Sequence, residues 1–138
     1  MQYIAFDLND EQFAIETLKV INISDIMKIT KVPLAPKYIK GLINLRGNVV
    51  SILDINVLLG KDEKNSVYNS IIILNSDNEL FGITVNDVIE VFDVKDEEIQ
   101  KVGGDDHKKE YAKGVVYRQN DVITIIDIDK LLSHILNN

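Results

Sequence analysis

The chain repeats itself. Lys40 to Leu59, KGLINLRGNVVSILDINVLL, aligns without a gap with Lys113 to Leu132, KGVVYRQNDVITIIDIDKLL, at an offset of 73, with eight identical positions. Upstream of each copy lies a weaker match. Asn9 to Ile23, NDEQFAIETLKVINI, resembles Asp77 to Val91, DNELFGITVNDVIEV, at an offset of 68 with five identities. The order is the same in both halves, so a single series of elements is written twice. The offset grows by five residues, and the polar stretch Val102 to Glu110, VGGDDHKKE, is the expected place for the extra length.

Each half reads as a hairpin, a further strand, a second hairpin and a short helix. Tyr3 to Leu8 alternates, with Ile4, Phe6 and Leu8 on one face; Asn9 and Asp10 supply turn chemistry, and Phe13 and Ile15 resume the apolar face. Ser70 to Leu74 and Leu80 to Val85 flank the corresponding turn at Ser76, Asp77 and Asn78. The further strand is expected near Val20 to Ile29 and again near Val88 to Val94. Asp54 and Asp127 stand where an apolar run ends and a Leu-Leu helix begins, a place for a carboxylate to cap the first N–H groups. Two strand-rich halves predict two small barrels that share a core and leave a groove between them.

Composition agrees. Ile and Val together fill 35 of 138 positions, and both suit a pleated surface better than a helix. The length fits one domain. The net charge of -7, with charges spread along the chain, argues against nucleic-acid binding. The absence of Cys excludes disulfides, thiol catalysis and Cys-ligated metals. MQYIAFDLND reads as a strand and not as a signal peptide, and no apolar run approaches a bilayer's thickness, so the expected location is cytoplasmic, without membrane insertion.

Catalytic patterns are missing. His107 sits in the polar stretch and His134 in the last helix; neither has the spacing of a metal pair. No GxSxG, GxGxxG or GxxxxGK[ST] pattern occurs, and Gly103-Gly104 reads as a loop pair. No cofactor or metal is expected, and binding to protein is the better default than catalysis.

Lys37 to Val50, KYIKGLINLRGNVV, is the strongest candidate for a binding segment. Gly41 suits a bend entering a strand and Gly47 a tight turn leaving it. The chain holds only two Arg, Arg46 and Arg118, against thirteen Lys. An Arg at a turn beside apolar strands suggests use of its planar fork in docking; pairing with a local carboxylate is the equal alternative. Arg118 reads as a solvated hairpin residue. Pro33 and Pro36 stiffen the connector KVPLAPK that leads into the segment.

These pieces together resemble the CheW-like family, the coupling proteins of bacterial chemotaxis. FDLNDEQFAIETLKVINI is similar to the family's first hairpin and following strand, and KYIKGLINLRGNVVSILDI to its most characteristic stretch, Gly-x-x-Asn-Leu-Arg-Gly before an apolar strand ending in Asp. LFGITVNDVIEV and VITIIDIDKLL fit the second half. The resemblance implies a mainly β fold: a single domain over residues 1–138 built of two intertwined five-stranded SH3-like barrels with short helices, the repeats spanning about 3–59 and 70–132. It implies a non-catalytic adaptor that links the cytoplasmic tips of methyl-accepting chemoreceptors to the regulatory domain of the histidine kinase CheA, at the membrane-associated array. Val20, Gly41 and Arg46 match the family's receptor-contacting positions; Asn44 and Gly47 belong to the same motif, with shaping of the turn as the alternative to contact. Asn22 stands where many relatives carry an acidic residue. A scaffold of another motility or signalling array, and a small-molecule-binding β-barrel, are the competing readings.

Overall fold

The computed structural model describes residues 1–61, 67–101 and 110–136, the last three of these by backbone alone. The expected insertion at Val102 to Glu110, with Gly103-Gly104 and His107, falls almost wholly outside the described residues, as does the side chain of His134.

Ten strands form two five-stranded sheets among the described residues. In chain order they are β1 (Gln2–Leu8), β2 (Glu11–Glu16), β3 (Val20–Asp25), β4 (Ile39–Leu45), β5 (Asn48–Leu53), β6 (Ser70–Ser76), β7 (Glu79–Val85), β8 (Asp87–Asp93), β9 (Ala112–Arg118) and β10 (Asp121–Ile126). A short helix α1 (Ile55–Leu58) follows β5, and α2 (Ile128–Leu136) follows β10. The expected mainly β, two-sheet fold with short helices is the observed one.

The repeats do not each build their own sheet. One sheet runs β8-β1-β2-β10-β9 and the other β3-β6-β7-β5-β4. Each therefore joins the first hairpin of one half to the third strand and second hairpin of the other. The joins between hairpins are parallel, β10 on β2 and β5 on β7, while every other pair, including the joins to the third strands, is antiparallel.

Each sheet curls until its edges meet. Beyond β3 the chain leaves the ladder, and Thr30 exchanges backbone hydrogen bonds of 2.9 and 2.8 Å with Leu42 of β4. Beyond β8, Gln100 does the same with Val115 of β9 at 2.9 and 2.8 Å. The third strand thus ends at Asp25, short of the expected Ile29, because residues 26–30 swing across to close the barrel. Closure removes most of the unpaired edge that invites other chains.

All four hairpins turn through two residues with positive φ: Asn9 (53°) and Asp10 (68°), Arg46 (52°) and Gly47 (85°), Asp77 (51°) and Asn78 (63°), Gln119 (49°) and Asn120 (70°). This is the turn whose twist matches that of paired strands, and Asn, Asp and Gly are its usual occupants.

The core has three parts. Tyr3, Ala5, Phe92, Val116 and Ile125 fill the first barrel, and Ile43, Val50, Ile52, Ile71 and Ile73 the second. The largest cluster lies between them: Phe6, Leu8, Phe13 and Ile15 pack with Ile72, Leu74, Phe81 and Ile83, and both helices add to it. So β1 is buried on both faces, where its alternation predicts one, because one face looks into its barrel and the other onto the partner barrel. Fully burying each such side chain is worth about 1.5–3 kcal/mol. The cost of separating the barrels is correspondingly large.

The two capping aspartates behave as expected. Asp54 Oδ1 accepts hydrogen bonds from the N–H groups of Asn56 (3.1 Å) and Val57 (3.4 Å), and Asp127 Oδ1 from that of Lys130 (3.1 Å).

Candidate functional site

Gly41, Asn44, Arg46 and Gly47 come together on the β4–β5 hairpin. Asn44 Oδ1 accepts a 2.9 Å hydrogen bond from the Gly47 N–H, which fastens the turn. The Arg46 side chain is exposed and makes no hydrogen bond or ion pair among the described residues. The alternative in which Arg46 holds its own turn through a carboxylate is therefore not realised. Its backbone, at φ 52°, occupies a region that favours Asn, Asp or Gly, the types that stand at the same first place of the turns at Asn9 and Asp77. Its guanidinium is thus left open to solvent on a positive-φ turn, and the matching turn of the second half holds the Gln119 backbone at φ 49° in the same way.

Arg118, the other arginine, differs from the expected solvated residue. Its Nε and one terminal nitrogen both lie 2.9 Å from Glu90 Oε1, and its guanidinium stacks 4.7 Å from the centre of the Phe92 ring. It braces β9 against β8, the two outer strands of their sheet, a local structural task.

Gly41 is buried. A Cβ there would overlap the Thr30 carbonyl oxygen and the Ile29 methyl group, the segment that closes the barrel. Gly114, its counterpart in the repeat, meets Gln100 and Ile99 in the same way. Close backbone approach explains glycine at both positions without any ligand. Val20 opens β3, half-buried against the inter-barrel cluster and paired with Leu74, apart from the hairpin turn. Asn22 follows a bulge on that edge strand and makes no side-chain hydrogen bond among the described residues.

Beside the Asn44 turn is an open groove of about 500 Å³ lined by Met27, Lys28, Thr30, Leu42, Ile43, Asn44 and Val49. Every lining residue belongs to the second barrel or its closing segment, so this groove lies on one barrel; a smaller cavity of about 240 Å³, lined by Ile15, Lys19, Lys113, Ile126 and Asp129 among others, opens at the junction of the two. Met27 and Lys28 were not expected at a site; Val49 falls within the expected segment, where the period-2 pattern places it on the outer face of β5, and its 69% exposure makes it a hydrophobe without a core role.

Charge is less evenly spread than a reading of the whole chain implies. Residues 26–53 hold five of the fifteen basic residues and none of the twenty-two acidic ones. Lys40 is the one of these five that turns inward. Its ammonium lies 3.3 Å from Thr84 Oγ1 and 4.0 Å from the centre of the Tyr68 ring, and burial lowers its pKa. The equivalent Lys113 is paired with Glu16 at 2.9 Å, and that bond raises its pKa.

Among the described residues no cluster of three or more His, Asp and Glu is arranged to hold a metal. No helix among them is long and apolar enough to cross a membrane.

A family model for the CheW-like domain matches residues 2–136. The chain belongs to the CheW-like family. Among its relatives, the chemotaxis protein CheW of Rhizobium meliloti is 30% identical over 94% of this chain and 86% of its own. Those of Klebsiella aerogenes and Helicobacter pylori are 30% and 28% identical, each over 96% of this chain and 81% of theirs. The crystal structure of the scaffolding protein TtCheW from Thermoanaerobacter tengcongensis has the same fold, with a TM-score of 0.84 at 24% identity over 94% of this chain and 90% of the other. CheW-like membership makes this chain a chemotaxis adaptor of the scaffold type and not an enzyme, as the resemblance implied.

Proposed function

We propose that this CheW-like protein couples the cytoplasmic tips of methyl-accepting chemoreceptors to the regulatory domain of the histidine kinase CheA, at the cytoplasmic face of a membrane-associated receptor array. The observation that carries the reading is the state of Arg46: exposed, unpaired among the described residues, and presented by a tight turn next to an apolar groove. A guanidinium beside an apolar surface is the composition of a docking hot spot. Asn44 and Gly47 act by setting the turn, and Gly41 by letting the closing segment form the groove wall. Val20, partly buried at the start of β3 in the same sheet, is the remaining position assigned to the receptor surface. The kinase uses a second surface, so that one adaptor holds both partners.

Calorimetric titration with a soluble chemoreceptor-tip fragment tests this. Arg46→Ala and Arg46→Glu should weaken binding by about 2 kcal/mol or more while the melting temperature stays within a few degrees. Unchanged affinity removes Arg46 from the site. A purified kinase regulatory domain should bind the adaptor already loaded with the fragment; complete displacement of one by the other overturns the bridge.

A further inference from the structure

We infer that the cavity at the barrel junction is a binding site for a phenol ring supplied from outside this chain. The template is built into the other end of the junction. Tyr68 sits there half-buried against the inter-barrel cluster. The Lys40 ammonium lies 4.0 Å from the centre of its ring, and Asn56 Nδ2 donates a 2.5 Å hydrogen bond to its hydroxyl oxygen. The repeat, at an offset of 73, puts Lys113 where Lys40 stands and Asp129 where Asn56 stands. At an offset of 68 it puts Glu16 in the place of Thr84, and each bonds its lysine, Glu16 at 2.9 Å and Thr84 at 3.3 Å. Lys113, Glu16 and Asp129 all line the cavity of about 240 Å³, and no aromatic residue does. One end of the junction thus seats a tyrosine, and the other leaves the seat open.

The open seat keeps each kind of contact that Tyr68 uses. Its walls include Ile15, Ile126 and Ile128, all buried, which suit the faces of a ring. Lys113 supplies the cation beside the ring. At the polar end Lys19 and Asp129 meet at 2.6 Å. Lys19 is a donor, as Asn56 is toward Tyr68, and the Asp129 carboxylate has acceptor sites beyond those that Lys19 and Ser76 use. A phenol oxygen can accept from the ammonium while its O–H donates to the carboxylate. A plain aromatic ring would cover that pair and bond neither member. Three carboxylates, Glu16, Asp127 and Asp129, stand against two lysines, which favours a neutral donor over an anion. The volume lies below the ~300–1,000 Å³ of sites for drug-sized ligands, so the cavity admits one ring and a short substituent.

The probes are para-cresol, toluene and N-acetyltyrosinamide, each titrated into the intact protein and followed by isoleucine methyl chemical shifts. Para-cresol should saturate shifts at Ile15, Ile126 and Ile128 in the millimolar range, as suits so small a ligand, and toluene should bind about tenfold more weakly or worse. Asp129→Leu should lose about tenfold or more in affinity for para-cresol, whereas Asp129→Asn, which supplies the amide of the template, should keep it. Tyr68→Ala opens the matching seat and should add a second site, read at Ile55 and Ile83, beside the first. The third probe names the source of the ring. N-acetyltyrosinamide binding at least as tightly as para-cresol assigns it to a tyrosine side chain of a partner protein; exclusion of this larger probe assigns it to a free phenol. Absence of shifts at the three isoleucines, or equal affinity for toluene and para-cresol, overturns the proposal. So does a Tyr68→Ala protein that takes para-cresol only at the newly opened seat.

Discussion

Asp129 and Lys19 meet at 2.6 Å across the junction of the two barrels, and the same carboxylate accepts a 2.7 Å hydrogen bond from Ser76 Oγ at the end of β6. The equivalent place in the first half is held by Asn56, bonded to Asn9 at 2.9 Å and to Tyr68 at 2.5 Å. One side of the junction is thus ionic and the other neutral.

That difference predicts an acid-sensitive side. The bond from Lys19, then that from Ser76, holds the Asp129 pKa below its ordinary value of 3.8. A carboxyl whose folded pKa is depressed stabilises the fold above its unfolded pKa, and the gain is lost as pH falls through the folded value. Thermal melts from neutral pH down to about pH 2.5 should show Asp129→Asn with a shallower acid limb than the native chain, and Asn56→Asp with none of that flattening. The pair is partly exposed, so the effect is modest and weakens in salt. Parallel acid limbs for native and Asp129→Asn would remove the pair from the junction.

Glycine substitutions separate two kinds of constraint. Gly41→Ala and Gly114→Ala each drive a methyl group into a closing backbone segment and should cost about 2–4 kcal/mol in urea unfolding. Gly47→Ala meets open space but keeps φ at 85°, and should cost only about 1 kcal/mol. Equal losses at all three sites would refute the closure role.

Arg46→Asn should do opposite things to fold and function. Asn is at home on a positive-φ turn, so stability should rise by about 0.5–1 kcal/mol, while affinity for a receptor-tip fragment falls. Denaturation midpoints and titrations on the same sample decide it; a variant both stabler and equally tight-binding contradicts the trade.

Lys40 and Lys113 occupy equivalent positions with different costs. Lys40 is desolvated with no carboxylate bonded to it, so Lys40→Met should leave the melting temperature unchanged or raise it. Lys113→Met strands Glu16 and should lower it. The ordering of the two melting temperatures is the check.

Much of this was readable from residues alone. The repeat, the hairpins and the capping aspartates follow from local chemistry, period-2 alternation and turn types. The partner of each strand does not. Nothing local in VITIID says that β10 lies beside β2 and not beside its own half's β7, because both neighbours are equally apolar. For the same reason the alternation of Tyr3 to Leu8 showed one buried face and concealed the second. At the site, the Asn-Leu-Arg-Gly turn was legible. The far wall of the groove was not, since Met27 and Lys28 reach it only through the closing bridge at Thr30. The run without carboxylates from residue 26 to 53 lay open in the sequence; an average over the whole chain hid it.

The exchange of hairpins between halves has a consequence for the protein's history. A lone half would carry two incomplete sheets, each lacking exactly the strands a second copy could lend. Such a half could finish its fold only by interlocking with its twin. The present chain carries both members of that interlock, and they differ: the arginine turn and the run without acids belong to the first half alone.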